Sequence, residues 1–167
     1  MLRLPAARCF GVPAGEKGSD AWHVAFAPNA LSVTRKDAQR INTMHKANSV
    51  RELDVYHGAF SLQQAIFVIS KKFPKEEIYS LTDQIRRSSR SIGANLSAAW
   101  AKRRYPAHFL TKLTDADGEL QETSHWLASA EACEYLSVEE SSDLQNQAAV
   151  VGRQLGSMIN RQESFCF

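Results

Sequence analysis

From residue 51 onward the apolar positions recur at alternating three- and four-residue spacings, the pattern of helices that each bury one stripe. The first block is Val55, Ala59, Leu62, Ile66, Ile69 and Phe73; the second is Ile78, Leu81, Ile85, Ser88, Ile92, Asn95 and Ala99, with Leu96 beside the seam. The third is Phe109, Leu113, Ala116, Leu120, Thr123, Leu127 and Ala130, and the fourth is Leu144, Ala148, Val151, Leu155 and Met158. No block alternates every second residue as a half-buried strand does.

Local punctuation divides the blocks at the same places. Pro74 ends the first, because proline disfavours helical geometry in the residue before it and brings no amide of its own. Pro106 stands where a first helical turn begins, a position that tolerates it. Ser137 and Glu140 have capping-box spacing. Helices are therefore predicted near 51–73, 77–102, 106–134 and 138–162, and the short links make consecutive helices antiparallel neighbours. The expected fold is all-α, an up-down-up-down antiparallel four-helix bundle over 49–167. Its seam is thin: Ser88, Ser89, Gly93, Asn95 and Thr123 place small or polar groups on or near it, and a buried Asn95 amide needs a partner and would serve to fix register.

Residues 1–48 show no period and hold Pro5, Pro13, Pro28, Gly11, Gly15 and Gly18, so they read as a disordered extension. A short helix over Val33–Thr43 is one alternative for part of it. Met44, just ahead of the ordered pattern, is a candidate natural start. At 167 residues, 44% of them hydrophobic, the chain can bury one core. No apolar run reaches the roughly 18 residues a membrane span needs. The first residues lack the apolar stretch of a secretory signal, so a cytoplasmic protein with no membrane contact is expected. Cys9, Cys133 and Cys166 are odd in number and contain no CxxC, which points to reduced thiols rather than a disulfide framework or a zinc site. Cys133 is expected to be partly buried and Cys166 exposed.

Charge adds what periodicity does not. Between Lys71 and Lys112 ten Lys or Arg face only Glu76, Glu77 and Asp83, a local balance of plus seven. From Leu113 to Gly152 there is no Lys or Arg, while nine Asp or Glu are present; the formal net charge of +2 conceals the reversal. Arg86, Arg87 and Arg90 can share one side of the second helix. Lys102, Arg103 and Arg104 crowd its C-terminal end, with Trp100 and Tyr105 alongside. Cations at a helix C-terminus are favoured by the macrodipole. Basic side chains also meet phosphates, and exposed aromatics stack on unpaired bases. A solvated face, a nucleic-acid footprint and a protein interface all fit this pattern.

Motifs of catalysis are missing: no phosphate-cradling glycine loop, no G-x-S-x-G elbow and no H-E-x-x-H helix. Glu122-Thr-Ser-His125 has the Glu-x-x-His spacing of di-iron bundles, but no second copy exists and the other helices offer acids only near their starts. It reads as an exposed acidic face with one histidine. Asp115, Glu119 and Glu122 share a helix face, which reads as a solvated face or protein interface rather than an acid-base pair. His57 and His108 are expected on helix surfaces or at interfaces. No catalytic residue, metal or cofactor is expected, and the chain is not read as an enzyme.

The run KKFPKEEIYSLTDQIRRSSRSIGANLSAA, Lys71 to Ala99, resembles the signature of the bacterial four-helix bundle proteins first noticed inside 23S rRNA intervening sequences. The resemblance covers about two thirds of the chain, roughly Val50 to Arg161, and takes in RELDVYHGA and the LxxAxxCxYL run ending at Leu136. It implies a bundle that assembles into a ring-shaped homopentamer with no established enzymatic activity. It also implies kinship with the accessory variability determinant of diversity-generating retroelements, which binds RNA and a reverse transcriptase through a basic surface. Arg86 and Arg87 match the family's QIRR. Gly93 stands where the family often has proline, and Ser97-Ala98-Ala99 where it often has Ala-Glu-Gly; losing that acid removes one helix 2 partner for a neighbouring arginine.

Two functions compete on these grounds. One is a non-enzymatic oligomer that binds RNA, DNA or a ribonucleoprotein, with Arg86, Arg87, Arg90, Lys102, Arg103 and Arg104 on phosphates. The other is a self-assembling ring in which the basic helix 2 of one subunit faces the acidic helix 3 of the next, leaving no nucleic-acid role.

Overall fold

A computed structural model describes residues 47–167. The expected extension over 1–46, its alternative helix at 33–43 and the candidate start at Met44 lie outside the described residues. Four α-helices follow in order: α1 (Asp54–Ile69), α2 (Leu81–Ala101), α3 (Pro106–Ala132) and α4 (Val138–Asn160). Each packs on two neighbours, α1 and α3 both lying against α2 and α4. The four helices make antiparallel packing contacts, as the spacing predicts.

The stripes meet in one core. Val55, Ala59, Leu62 and Ile66 from α1 join Ile85 and Ile92 from α2, Phe109, Leu113 and Leu127 from α3, and Val151, Leu155 and Met158 from α4, every one at most 1% exposed. Ile69 is only half-buried. At about 0.8 kcal/mol per buried methylene, such a stripe outweighs the modest propensities of the serines and threonines among it. The polar part of the seam is satisfied internally: Thr123 Oγ1 lies 3.0 Å from Ser88 Oγ and 2.8 Å from the Glu119 carbonyl. Asn95 and Leu96 exchange the places the spacing gave them. Leu96 enters the core at 1% exposure, while Asn95 turns partly outward and accepts from Lys112 Nζ at 3.4 Å. An amide gains more at an edge where a cation reaches it than in a seam without a donor.

Pro106 occupies the first turn of α3, and the Ser137/Glu140 capping box of α4 is complete on both sides. The start of α2 is later than predicted, at Leu81 rather than 77. Pro74 holds extended backbone, a 3₁₀ turn then spans Lys75–Glu77, and the Glu77 carboxylate turns forward to accept from the Leu81 amide at 3.2 Å and from the Ser80 hydroxyl. Those bonds hold the Glu77 carboxyl below its ordinary range, the Ser80 hydroxyl contributing most. Tyr135, which follows α3, donates to the other Glu77 oxygen at 3.2 Å, so the α1–α2 and α3–α4 connections are tied together. Between α3 and α4, Glu134 adopts the left-handed backbone, φ 60°, that closes helix C-termini.

Both cysteine expectations reverse among the described residues. Cys133 is exposed just past the end of α3, whereas Cys166 is half-buried in the C-terminal tail. His57 and His108 are exposed. Among the described residues, no helix is long and apolar enough to cross a membrane.

Candidate functional site

The six basic residues singled out from the sequence separate into two places, one on α2 and one in the turn that follows it. Arg90 and Arg103 are 13 positions apart, about 20 Å at 1.5 Å per helical residue.

Arg86, Arg87 and Arg90 come together. They line one open groove of about 410 Å³ whose walls include Ile78, Thr82 and Asp83. Beside it, Phe67 of α1 gathers cations. The Arg86 and Arg90 guanidiniums lie 5.3 and 5.6 Å from the Phe67 ring centre, and the Lys71 ammonium lies 4.8 Å from the same ring. Arg86 Nε also donates to Ser70 Oγ at 2.7 Å, which fixes the guanidinium against the turn that ends α1. Arg87 points elsewhere: it donates to Gln84 at 3.2 Å and acts electrostatically on Glu119 of α3. The ion pairs among the described residues are Lys72–Glu140 and Lys112–Asp115, so neither Lys71 nor any of the three groove arginines has one. The Thr82 hydroxyl, on a residue 3% exposed, finds no hydrogen-bond partner there.

Lys102, Arg103 and Arg104 do not form a second such cluster. Lys102 lies exposed in a groove of about 300 Å³ with His108, Thr111 and Lys112. Arg103 is half-buried: its guanidinium stacks 3.5 Å from the Trp100 ring centre and 5.1 Å from that of Phe167, and its Nε donates to the Trp100 carbonyl at 3.0 Å. Burial pulls its pKa below the ordinary arginine value, with Cys166 opposing, and burial raises the Cys166 thiol with Arg103 opposing. Arg104 is exposed beside a cavity of about 420 Å³ that it lines with Trp100, Arg103, Tyr105 and Phe167.

The acidic face of α3 is partly spoken for. Lys112 pairs with Asp115 at 2.7 Å, and Glu122 accepts from Trp126 Nε1 at 3.1 Å. Glu119 has its pKa raised by burial and by the repulsion of Glu122 and Asp115, against the pull of Arg87. His125 packs edge-on against Trp126. No three His, Cys, Asp or Glu gather in metal-binding proximity among the described residues.

A family model described as 23S rRNA-intervening sequence protein matches residues 51–157. The chain belongs to this family. The match falls inside the span, roughly Val50 to Arg161, over which the sequence resembles it. A crystal structure of a protein with unknown function from the S23 ribosomal protein family of Bacteroides thetaiotaomicron VPI-5482 is 29% identical, with a TM-score of 0.58. The alignment covers 64% of this chain and 95% of that one. No curated protein matches.

The part of the chain matched to the 23S rRNA-intervening sequence protein family holds Phe67, Lys71 and the three groove arginines, while the tail residues Phe165 to Phe167 lie beyond it. Two members of the neighbouring cation cluster lie off α2. Lys71 belongs to the basic stretch but stands in the 3₁₀ turn Ser70–Lys72 that follows α1, and Phe67 is four positions before it, so the i, i+4 spacing was the one available signal. That Arg86 and Arg90 meet the same ring is a tertiary fact.

Proposed function

We propose that this chain is a non-enzymatic helical protein that binds nucleic acid, RNA or DNA, alone or within a ribonucleoprotein, through the basic groove along α2 and the cations gathered on Phe67 beside it. The observation that carries the reading is the convergence of Lys71, Arg86 and Arg90 on Phe67, with Arg87 beside them and none of the four in an ion pair, although Asp83 lines the same groove. Unpaired cations held close together repel one another, and a polyanion relieves that cost while releasing its own counterions. The family's description names 23S rRNA, and the Bacteroides relative is described by a ribosomal protein family; both are RNA contexts that support the reading.

The rival reading, in which basic α2 pairs with acidic α3 between subunits of a homo-oligomer, keeps less charge to work with. Arg87 and Lys112 already face acids of their own α3. Fluorescence anisotropy with labelled RNA and DNA over a series of salt concentrations tests the proposal. Changing Arg86, Arg87 and Arg90 to Gln should flatten the slope of log K against log salt by about 2 for a single strand and nearly 3 for a duplex. Unchanged binding in that variant refutes it. An oligomer that dissociates as salt rises, with no binding, favours the rival.

A further inference from the structure

The C-terminal tail carries a second feature that the basic groove does not use. Phe165 anchors it: the ring is 7% exposed and stacks on the fully buried Phe109 at 6.1 Å between centres. Two residues on, Phe167 is held beside the α2–α3 turn yet remains 76% exposed, with its ring against Arg103. Tyr105, in the same turn, is 60% exposed and lines the same cavity. Arg103 is thus a flat cation fixed between Trp100 and Phe167, and Arg104 adds an exposed charge at the rim. No acid lines this cavity of about 420 Å³, a size within the range of small-ligand sites, about 300–1,000 Å³.

Water-exposed aromatics clustered around a guanidinium with no acid present do little for stability, because most of their area stays wet. Their chemistry suits a flat, electron-rich, uncharged ring attached to an anion. We infer that Tyr105 and Phe167, with Arg103 held behind Phe167, form a stacking platform for an unpaired nucleobase, so that the nucleic acid taken by this chain is single-stranded where it crosses the end of the bundle. In a duplex the bases are stacked on each other and their faces are not available; in a single strand they are. Arg104 then meets the phosphate next to the stacked base. This rests on the nucleic-acid reading, and adds to it the strandedness of the ligand and a site about 20 Å from the arginine groove.

The test compares three labelled probes on the full chain: a single-stranded oligoribonucleotide, the same strand with abasic positions, and a duplex of equal length. The abasic strand should bind roughly 5- to 150-fold more weakly than the intact one, the range for losing one stacked base, with the same salt slope. Tyr105→Leu combined with Phe167→Leu keeps apolar bulk on two exposed side chains. It should lose the same factor on the intact strand and nothing further on the abasic one. Equal affinity for the intact and abasic strands overturns the platform while leaving the phosphate groove standing. Loss of affinity for all three probes in the double variant also overturns it. Absence of salt-dependent binding to any probe overturns both readings together.

Discussion

Replacing Phe67 with leucine tests the organising contact of the groove directly. Leucine keeps most of the apolar bulk at a half-buried position and removes the π face that Lys71, Arg86 and Arg90 share at 4.8, 5.3 and 5.6 Å. A cation over an aromatic ring at an exposed site is worth about 0.5–1 kcal/mol. Three cations on one ring cannot each collect the full amount, since they repel one another and share the same quadrupole. The expected loss is therefore about 1–2 kcal/mol, read as a lower urea midpoint by far-UV circular dichroism with an unchanged slope.

Arg86 complicates a single substitution because its Nε also holds Ser70 Oγ at 2.7 Å. A double-mutant cycle with Arg86→Met removes that complication, since the Ser70 bond is lost equally with and without Phe67. The coupling between the two positions should be about 0.5–1 kcal/mol. Raising salt should stabilise the wild-type protein, because the Debye length, about 8 Å at physiological ionic strength, shortens and weakens the repulsion among these cations. A coupling below about 0.3 kcal/mol, inside the usual additivity error, would refute the claim that Phe67 positions the arginine.

Two further substitutions test the packing and electrostatics behind the site. At Gly118 an added Cβ meets nothing within 4 Å, so Gly118→Ala should stabilise α3 by about 0.5–1 kcal/mol in urea unfolding. At Gly58 the Cβ would lie 3.1 Å from Val151 Cγ2, a stiff, buried neighbour, so the same change there should cost about 0.5–2 kcal/mol net, overpacking exceeding the helix gain. Glu119 has a raised pKa in the fold, so its charged form is disfavoured there; stability falls as pH rises through the window just above its ordinary value of 4.5 and stays lower at neutral pH. Glu119→Gln should therefore raise the melting temperature at neutral pH, with the advantage vanishing below that window. An advantage that grows on acidification would contradict the sign.

The architecture was legible because four long stripes with period near 3.6, two prolines and one capping box all agree on where helices start and stop. The late start of α2 was not, since it depends on the Glu77 side chain reaching forward to the Leu81 amide rather than on any break in periodicity. Asn95 and Leu96 were misplaced relative to each other for a related reason. A one-residue turn about the α2 axis costs little in pattern, and the Lys112 donor on α3 decides it. The groove was half legible: the arginine spacing showed three residues on one side of α2. The contribution of Phe67 and Lys71 required knowing which flank of α1 faces them. Arg103 belongs with the basic run by sequence, but a tail some 60 residues later folds back so that Phe167 stacks on it.

These placements change the meaning of the charge reversal after Lys112. Read linearly, it sets a basic helix against an acidic one, and complementary faces of that kind invite pairing between copies. In the fold, α2 and α3 are neighbours, and part of the charge is met within one chain: Arg87 of α2 acts on Glu119 of α3, and Lys112, itself on α3, binds Asp115 one turn on. The pairing is incomplete in a directional way. Arg86 and Arg90 turn toward α1, away from the acids of α3, and find an aromatic ring and a serine instead of a carboxylate. An aromatic ring orders a cation without neutralising it, whereas an aspartate would do both. Placing Phe67 there leaves the positive field of the groove intact while restraining the side chains that produce it. A surface that only had to be soluble, or to be silenced by its own acids, has no need of that combination; the proposed nucleic-acid site, which would receive an anion with its cations already in position, does.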